Sequence, residues 1–192
     1  MKPARRRPAG RGGEKIRASH PLTLRRNFSW TLAGNVVYAA CQWAILISLA
    51  KLGDVAMVGQ FALALAIVTP TLAFTNLQLR ALEATDAKGE FPFSDYLAVR
   101  ILTVTLALCV VAGVLMWGGY DRELFLVVLA VALTKTFDSL SDVFYGALQL
   151  HGRMDRIAKS LILQGVLQLL ALLLIVSASR SLLAGVIGMA LM

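Results

Sequence analysis

The chain has 192 residues, of which 58% are hydrophobic and 16% are charged, and its formal net charge is +8. A soluble domain has about 45–50% apolar and about 25% charged residues, so this composition excludes an ordinary water-soluble protein. The mean hydropathy of +0.71 indicates that lipid surrounds most of the chain.

A basic segment opens the chain. Nine of the 19 lysines and arginines lie in "MKPARRRPAGRGGEKIRASHPLTLRR". We interpret residues 1–26 as a disordered cytoplasmic tail that contacts anionic lipid headgroups. The alternative, an arm that binds nucleic acid, is disfavoured by the confinement of the charge to this one end. We therefore expect no nucleic-acid partner.

Long apolar runs follow the tail. Four of them contain no charged residue and are 24, 25, 20 and 20 residues long, and about 20 apolar residues cross a bilayer as a helix. A further segment has the length but carries three charges, and a last one begins near the end of the chain. We predict an all-α, polytopic helical membrane protein with five complete transmembrane helices and the start of a sixth, forming one domain over residues 27–192. The predicted spans are about 28–50, 55–75, 98–119, 124–150, 157–178 and 181–192.

The distribution of positive charge predicts the orientation. An amino terminus on the inner side gives that side 15 lysines and arginines, nine in the tail and six near two connections, against three on the outer side. This asymmetry predicts a cytoplasmic amino terminus. The six charges of the inner connections are Arg80, Lys88, Arg100, Arg153, Arg156 and Lys159. Of these, we predict Arg80, Arg153 and Arg156 as site residues of the cytoplasmic loops.

Polar residues form one stripe on each of two predicted helices. At 100° per residue, the stripe of the first span occupies an arc of about 60° and that of the fourth about 80°. The opposite faces are apolar, so we predict that both stripes face a common polar interior. The stripe residues are Thr31, Asn35, Tyr38 and Gln42 in the first span, and Lys135, Asp138, Asp142, Tyr145 and Gln149 in the fourth.

The three charges of the fourth span have two interpretations. A lysine or aspartate at the centre of a membrane helix costs about 2.5–3.5 kcal/mol. Lys135 and Asp138, at positions i and i+3, can form an ion pair that stabilises helix packing, while Asp142 reaches the interface. The interpretation we favour is a substrate or ion pathway, because ionisable residues inside membranes usually line pathways. The three charges sum to −1, which leaves room for one proton or metal cation and suits ion-coupled transport.

Pro70 interrupts the hydrogen bonds of the second span, in "AIVTPTLAF". A proline removes one intrahelical hydrogen bond and can kink the helix. It is either a tolerated membrane proline or a hinge, and both interpretations stay open.

Features of enzymes are missing from the sequence. It contains no glycine-rich phosphate loop, no Ser/His/Asp set and no cluster of metal ligands. The pair Asp138 and Asp142 lacks the further acidic partners that a magnesium-dependent transferase would need. We predict a protein that is not an enzyme and has no metal and no cofactor.

Dispersed positions over residues 27–178 resemble the amino-terminal part of bacterial oligosaccharide flippases of the O-antigen type. These flippases form the polysaccharide-transport branch of the MATE/MOP exporter superfamily. The resemblance depends on Asn27, Trp30, Gly34, Asn35, Gln42, Trp43, "LAKLG" (49–53), Val58, Gly59, Pro70, "NLQLR" (76–80), Thr85, Asp86, Phe93, Tyr96, Arg100 and "HGRMDRIA" (151–158).

The resemblance implies a multi-pass transporter of the bacterial inner membrane with two helical lobes around a central cavity. Its substrate would be a lipid-linked oligosaccharide, attached through polyprenyl pyrophosphate and used for surface polysaccharides such as lipopolysaccharide. Lys135 would face the pyrophosphate and the carboxylates would serve ion coupling. The resemblance also implies polysaccharide-assembly proteins as partners.

Members of this family have 12 to 14 helices, so we expect the chain to be an amino-terminal fragment, part of one lobe. Two alternatives remain: a cation-coupled multidrug or small-molecule antiporter of the same superfamily, and a membrane scaffold that does not transport.

Overall fold

A bundle of α-helices makes up residues 23–86 and 91–191, the part of the chain that this computed structural model describes. Within these residues there are seven helices and no β-strand, which confirms the predicted all-α fold. Most of the predicted basic tail, residues 1–22, and Lys88 lie outside the described residues. The helices are α1 (Leu24–Leu52), α2 (Val55–Thr75), α3 (Leu79–Thr85), α4 (Phe93–Gly118), α5 (Arg122–Leu150), α6 (Met154–Ser179) and α7 (Leu182–Ala190).

Five helical segments among the described residues are long and apolar enough to cross a membrane, and the chain is a multi-pass membrane protein. They correspond to α1, α2 extended through α3, α4, α5 and α6. Large apolar side chains such as Leu102, Met116 and Leu174 are exposed on the outside of the bundle. A water-soluble bundle would place polar side chains at such positions.

The first helix begins earlier than the predicted boundary of the tail. The Asn27 backbone N–H donates a hydrogen bond to the Thr23 carbonyl at 2.9 Å, which closes a first helical turn. Arg25 and Arg26, which the prediction assigns to a disordered tail, therefore belong to α1.

A short helix, α3, occupies a stretch that is predicted to be a loop. Leu77 and Gln78 have φ angles of 49° and 52°, and this left-handed pair turns the chain back after α2. Such a conformation costs an L-residue about 1–2 kcal/mol, so packing must stabilise it. Leu79 and Glu83, one helical turn apart, are buried, and α3 packs on α5. Tertiary contacts thus stabilise a helix that is too short to persist alone.

The starts of three helices follow from local sequence. Asp54 accepts a hydrogen bond from the Met57 backbone N–H at 2.8 Å and caps α2. Asp121 caps α5 and Ser181 caps α7 in the same way. These residues satisfy backbone donors that a helix start leaves without partners. All three caps lie at one end of the bundle, which the charge distribution predicts to be the outer end.

Helix α5 is the centre of the bundle, because it contacts α2, α3, α4, α6 and α7. The apolar core surrounds its first half and fills the end of the bundle that carries the three caps. That end is closed by side chains from five helices, each fully or almost fully buried: Ile45, Val68, Val111, Val128 and Val176. The polar residues collect at the opposite end.

Helix α1 packs chiefly on α6, through small residues. A Cβ atom added to Gly34 would lie 2.7 Å from the Ala158 Cα, and one added to Gly165 would lie 3.2 Å from the Cys41 Cβ. Small residues at these positions let two membrane helices approach closely. The α1–α6 pair and the α2–α4–α5 group therefore form two units that meet through the apolar core at one end and leave polar space between them at the other.

Candidate functional site

A cavity of about 420 Å³ lies between α1, α2, α5 and α6. Its lining combines both predicted polar stripes, because the stripe of α1 and that of α5 face each other across it. The stripes predict a common polar interior, and the structure places six of their residues around it. They are Tyr38, Gln42, Lys135, Asp138, Asp142 and Tyr145.

Asn35 shares the stripe of α1 but does not line this cavity. Its side-chain amide donates to the Thr31 carbonyl of the same helix at 2.9 Å, and the residue is exposed. Thr31 likewise donates to the Asn27 carbonyl. Thr31 and Asn35, at the start of the stripe, thus form hydrogen bonds within α1, and neither residue lines the cavity.

The Asp138 carboxylate accepts four hydrogen bonds. One oxygen accepts from the Lys135 ammonium at 3.0 Å and from the Tyr38 hydroxyl at 3.3 Å. The other accepts from the side-chain amides of Gln164 and Gln168. A carboxylate has about four acceptor positions, so the charged form is fully satisfied inside the bundle. We call these five residues the Asp138 cluster.

The glutamines of α6 are functional candidates that the sequence analysis missed. Gln164 and Gln168 lie one turn apart in "LILQGVLQLL", a segment interpreted only as a charge-free span. Gln168 also accepts a hydrogen bond from Gln42 at 3.0 Å, which joins α1 to α6. The sequence does contain a signal for this site: two polar residues at i and i+4 lie on the same face of an otherwise apolar helix.

Arg80, which is predicted as a site residue of a cytoplasmic loop, supplies a charge that the predicted group of Lys135, Asp138 and Asp142 lacks. Its guanidinium lies 3.1 Å from the Asp142 carboxylate and 5.6 Å from the centre of the Tyr145 ring. Its Nε also donates to Gln149 at 3.4 Å. Arg80 is predicted to lie in a cytoplasmic loop, but the folding back of α3 places it on α5. The predicted group of charge −1 therefore becomes two neutral pairs, Lys135 with Asp138 and Arg80 with Asp142.

Arg100 is buried in the bundle, with 1% of its surface exposed. The positive-inside count places it in an inner connection, but α4 begins at Phe93, which puts Arg100 two turns inside the helix. Its guanidinium donates to the Asn76 side-chain oxygen at 2.5 Å and to the Ser139 hydroxyl at 3.3 Å. Ser139 in turn donates to Asn76 at 2.7 Å. Arg100 thus ties the end of α2 to α4 and α5.

A second cavity, of about 360 Å³, adjoins the first at the polar end of the bundle. Asn76 and Asp142 line both cavities, and Arg80, Arg100 and Gln149 line the second one only. Polar and charged side chains therefore follow α5 from Lys135 in mid-helix to Gln149 at its end.

The remaining predicted site residues lie outside these cavities. Pro70 is exposed within α2, which continues through it to Thr75, and its hinge role stays a prediction. Arg153 pairs with Asp155 at 3.1 Å, and Arg156 is exposed on α6. Among the described residues, no group of three or more His, Cys, Asp or Glu is placed to hold a metal ion.

The chain is similar to a bacterial protein of polysaccharide synthesis. It is 27% identical over 158 residues to "Capsular polysaccharide biosynthesis protein CapF" from Staphylococcus aureus. The match covers 82% of this chain and 39% of the relative, so the chain spans about two fifths of that protein's length. No protein-family model matches the chain, and no solved structure matches it. The membrane helices and this relative are compatible with a membrane role in polysaccharide synthesis.

Proposed function

We propose that the chain forms part of a flippase that moves polyprenyl-pyrophosphate-linked oligosaccharide across the bacterial inner membrane. The protein would belong to the polysaccharide-transport branch of the MATE/MOP superfamily and would transport its substrate without acting as an enzyme. The observation that carries the proposal is a charged, membrane-embedded cavity that is closed at one end by an apolar core. The similarity to a capsular polysaccharide biosynthesis protein supports the class of substrate.

The shape of the bundle supports a direction of transport. The cavities lie towards the α2–α3 and α5–α6 connections, and the apolar core closes the other end. The charge asymmetry favours a cytoplasmic position for these connections. It remains after Arg80 and Arg100 are removed from the inner count of fifteen, because thirteen remain against three. A cavity of this shape faces the cytoplasmic leaflet, where the substrate would enter.

The ion pairs give the proposal a chemical mechanism. The pyrophosphate of the substrate competes with Asp138 for the Lys135 ammonium, now 3.0 Å from that carboxylate. The Asp138 carboxylate, having lost its strongest donor, takes up a proton or a metal cation in its place. Lys135 then binds the anion, and Asp138 links its binding to an ion gradient. Buried charges exchange partners in this way because an unpaired charge is costly inside a membrane.

The pairing within the chain also favours a second candidate, a membrane scaffold that does not transport. Lys135, Asp138, Arg80 and Asp142 each have an oppositely charged partner, and such pairs also occur where charges only stabilise packing. A scaffold requires only that no buried charge is left without a partner. It therefore tolerates the replacement of both members of an ion pair by neutral residues. A flippase loses transport when Lys135 is replaced, even if the bundle folds normally.

Deletion of the gene in its native host tests the proposal. A flippase mutant loses surface polysaccharide and accumulates the lipid-linked oligosaccharide that the cell continues to make. Restoration by the wild-type gene but not by a Lys135→Gln/Asp138→Asn gene, which leaves no charge unpaired, is the expected result. Unchanged surface polysaccharide after deletion, with no accumulated lipid-linked sugar, would rule out the flippase. Full restoration by the Lys135→Gln/Asp138→Asn gene would favour the scaffold.

A further inference from the structure

Helix α3 lies at the polar end of the bundle, which is the predicted cytoplasmic end. It follows α2 through Leu77 and Gln78, two consecutive left-handed residues that are not glycine. L-residues adopt this conformation only where other contacts hold it. The contacts of α3 with α5 are therefore what keeps the helix folded back against the bundle.

Two polar side chains of α3 contact α5. Arg80 pairs with Asp142 at 3.1 Å and lies over the Tyr145 ring, and about a third of the Arg80 side chain is exposed to solvent. Glu83 is buried against Gly146. A Cβ atom added at position 146 would lie 3.2 Å from the Glu83 Cβ, so a larger residue there would crowd the Glu83 side chain. Water can therefore compete with Asp142 for Arg80, whereas the burial of Glu83 depends on the absence of a side chain at Gly146.

The docked position of α3 leaves buried polar atoms without partners. The Glu83 Oε2 and the Arg100 Nε are both buried and make no hydrogen bond within the described residues. Movement of α3 away from α5 would let water reach both groups. Docking is therefore opposed by the desolvation of these two groups and favoured by the Arg80 contacts, by the burial of Leu79 and by the attraction between the Glu83 and Arg100 charges. Opposing contributions of this kind let a helix adopt two positions.

We propose that α3 is a cytoplasmic gate, latched by the Arg80–Asp142 ion pair, which must leave α5 before substrate enters the cavity. Asp142 and Asn76 line both cavities, and α3 lines the second one through Leu79, Arg80 and Ala81, so undocking of α3 would widen the route from the cytoplasm through the second cavity to the first. The importance of the gate for transport rests on the proposed function. Its motion does not, and the two can be measured separately.

The motion is measured by thiol labelling of the chain in native membranes. In a Cys41→Ala/Cys109→Ala background, a Glu83→Cys thiol is protected from a membrane-impermeant maleimide while α3 is docked. Adding Arg80→Gln removes the latch and should speed labelling about tenfold, as expected for the loss of one partly exposed ion pair and one cation–π contact. Equal labelling rates with and without Arg80→Gln would overturn the latch.

The effect on transport is measured with a disulfide that holds α3 on α5. Glu83→Cys/Gly146→Cys places two Cβ atoms 3.2 Å apart, close to disulfide geometry. The matched control is Gly165→Cys with the native Cys41, also 3.2 Å apart, which joins α1 to α6 away from the gate. Glu83→Cys alone controls for the loss of the carboxylate.

Inverted membrane vesicles carrying each variant are oxidised, assayed for uptake of lipid-linked oligosaccharide and reduced again. In the Glu83→Cys/Gly146→Cys variant, oxidation should reduce the rate of uptake at least about tenfold, and reduction should restore it. The control disulfide should change the rate by less than about twofold. If the oxidised Glu83→Cys/Gly146→Cys variant takes up substrate as fast as its reduced form, α3 is not a gate. If the wild type shows no uptake, the proposed function fails, and the labelling ratio still decides whether α3 moves.

Discussion

Lys135 donates a hydrogen bond to Asp138 at 3.0 Å, one turn along α5, and only about a fifth of each side chain is exposed. Two charges in the middle of a membrane helix thereby form one neutral unit. Gln164, Gln168 and Tyr38 complete the shell of the carboxylate, so this pair connects α5 to α1 and α6.

Asp138→Asn should destabilise the bundle more than removal of the whole pair. The single substitution leaves the Lys135 ammonium partly buried without a countercharge, at a cost of about 3 kcal/mol. The double variant Lys135→Gln/Asp138→Asn keeps hydrogen-bonding groups and leaves no charge, so it should recover most of that loss. Thermal unfolding of the purified chain in detergent measures both. A double variant no more stable than Asp138→Asn would contradict the pairing.

Arg100→Gln should destabilise the chain by about 1.5–3 kcal/mol, because Arg100 is the buried charged donor that joins α4 to Asn76 and Ser139. Arg156→Gln is the matched control, since Arg156 is exposed on α6. It should change stability by less than about 0.5 kcal/mol. The same unfolding assay decides, and equal effects of the two substitutions would show that Arg100 does not stabilise the junction of α2, α4 and α5.

Gly34→Val should loosen the α1–α6 pair. The added Cβ would meet the Ala158 backbone at 2.7 Å, and backbone atoms cannot move aside as a flexible side chain does. We expect a loss of about 1–3 kcal/mol in stability. Gly113→Val in α4 is the control, because a Cβ there meets nothing within 4 Å. If both variants unfold at the wild-type temperature, close packing at Gly34 is unimportant.

Pro70→Ala should reduce transport without loss of stability if Pro70 is a hinge. Alanine restores the missing backbone donor and favours the helix, so α2 becomes straighter or stiffer. Because Pro70 is exposed, the substitution removes no core contact. Uptake by inverted vesicles and thermal unfolding should be measured on the same preparation. Wild-type uptake by Pro70→Ala would leave Pro70 as a tolerated membrane proline.

The general fold follows from sequence because charge-free runs and a period of 3.6 residues report directly on helices in lipid. The same periodicity places Tyr38, Gln42, Lys135 and Asp138 on two faces that meet around one cavity. The position of Asn35 outside the cavity cannot be predicted in this way. Periodicity gives the direction in which a residue faces around the helix, but it does not show how far along the helix the cavity extends.

The partners of the charges do not follow from sequence. Arg80 is near Asp142 only because α3 folds back, and α3 exists because of buried contacts between residues far apart in the chain. Arg100 is counted as a loop charge because local composition cannot tell a buried arginine from an exposed one near a helix start. Helix periodicity shows which face is polar, whereas ion pairing depends on tertiary structure.

The most direct test of the proposed function uses inverted membrane vesicles from the native host, in which the cytoplasmic leaflet faces outward. Periodate added outside oxidises sugars on that leaflet, whereas oligosaccharide that has crossed the membrane is protected. We predict a protected fraction that grows with time in wild-type vesicles and stays at background in vesicles from the deletion strain and from a Lys135→Gln/Asp138→Asn strain. An equal protected fraction in wild-type and deletion vesicles would contradict the proposed flippase.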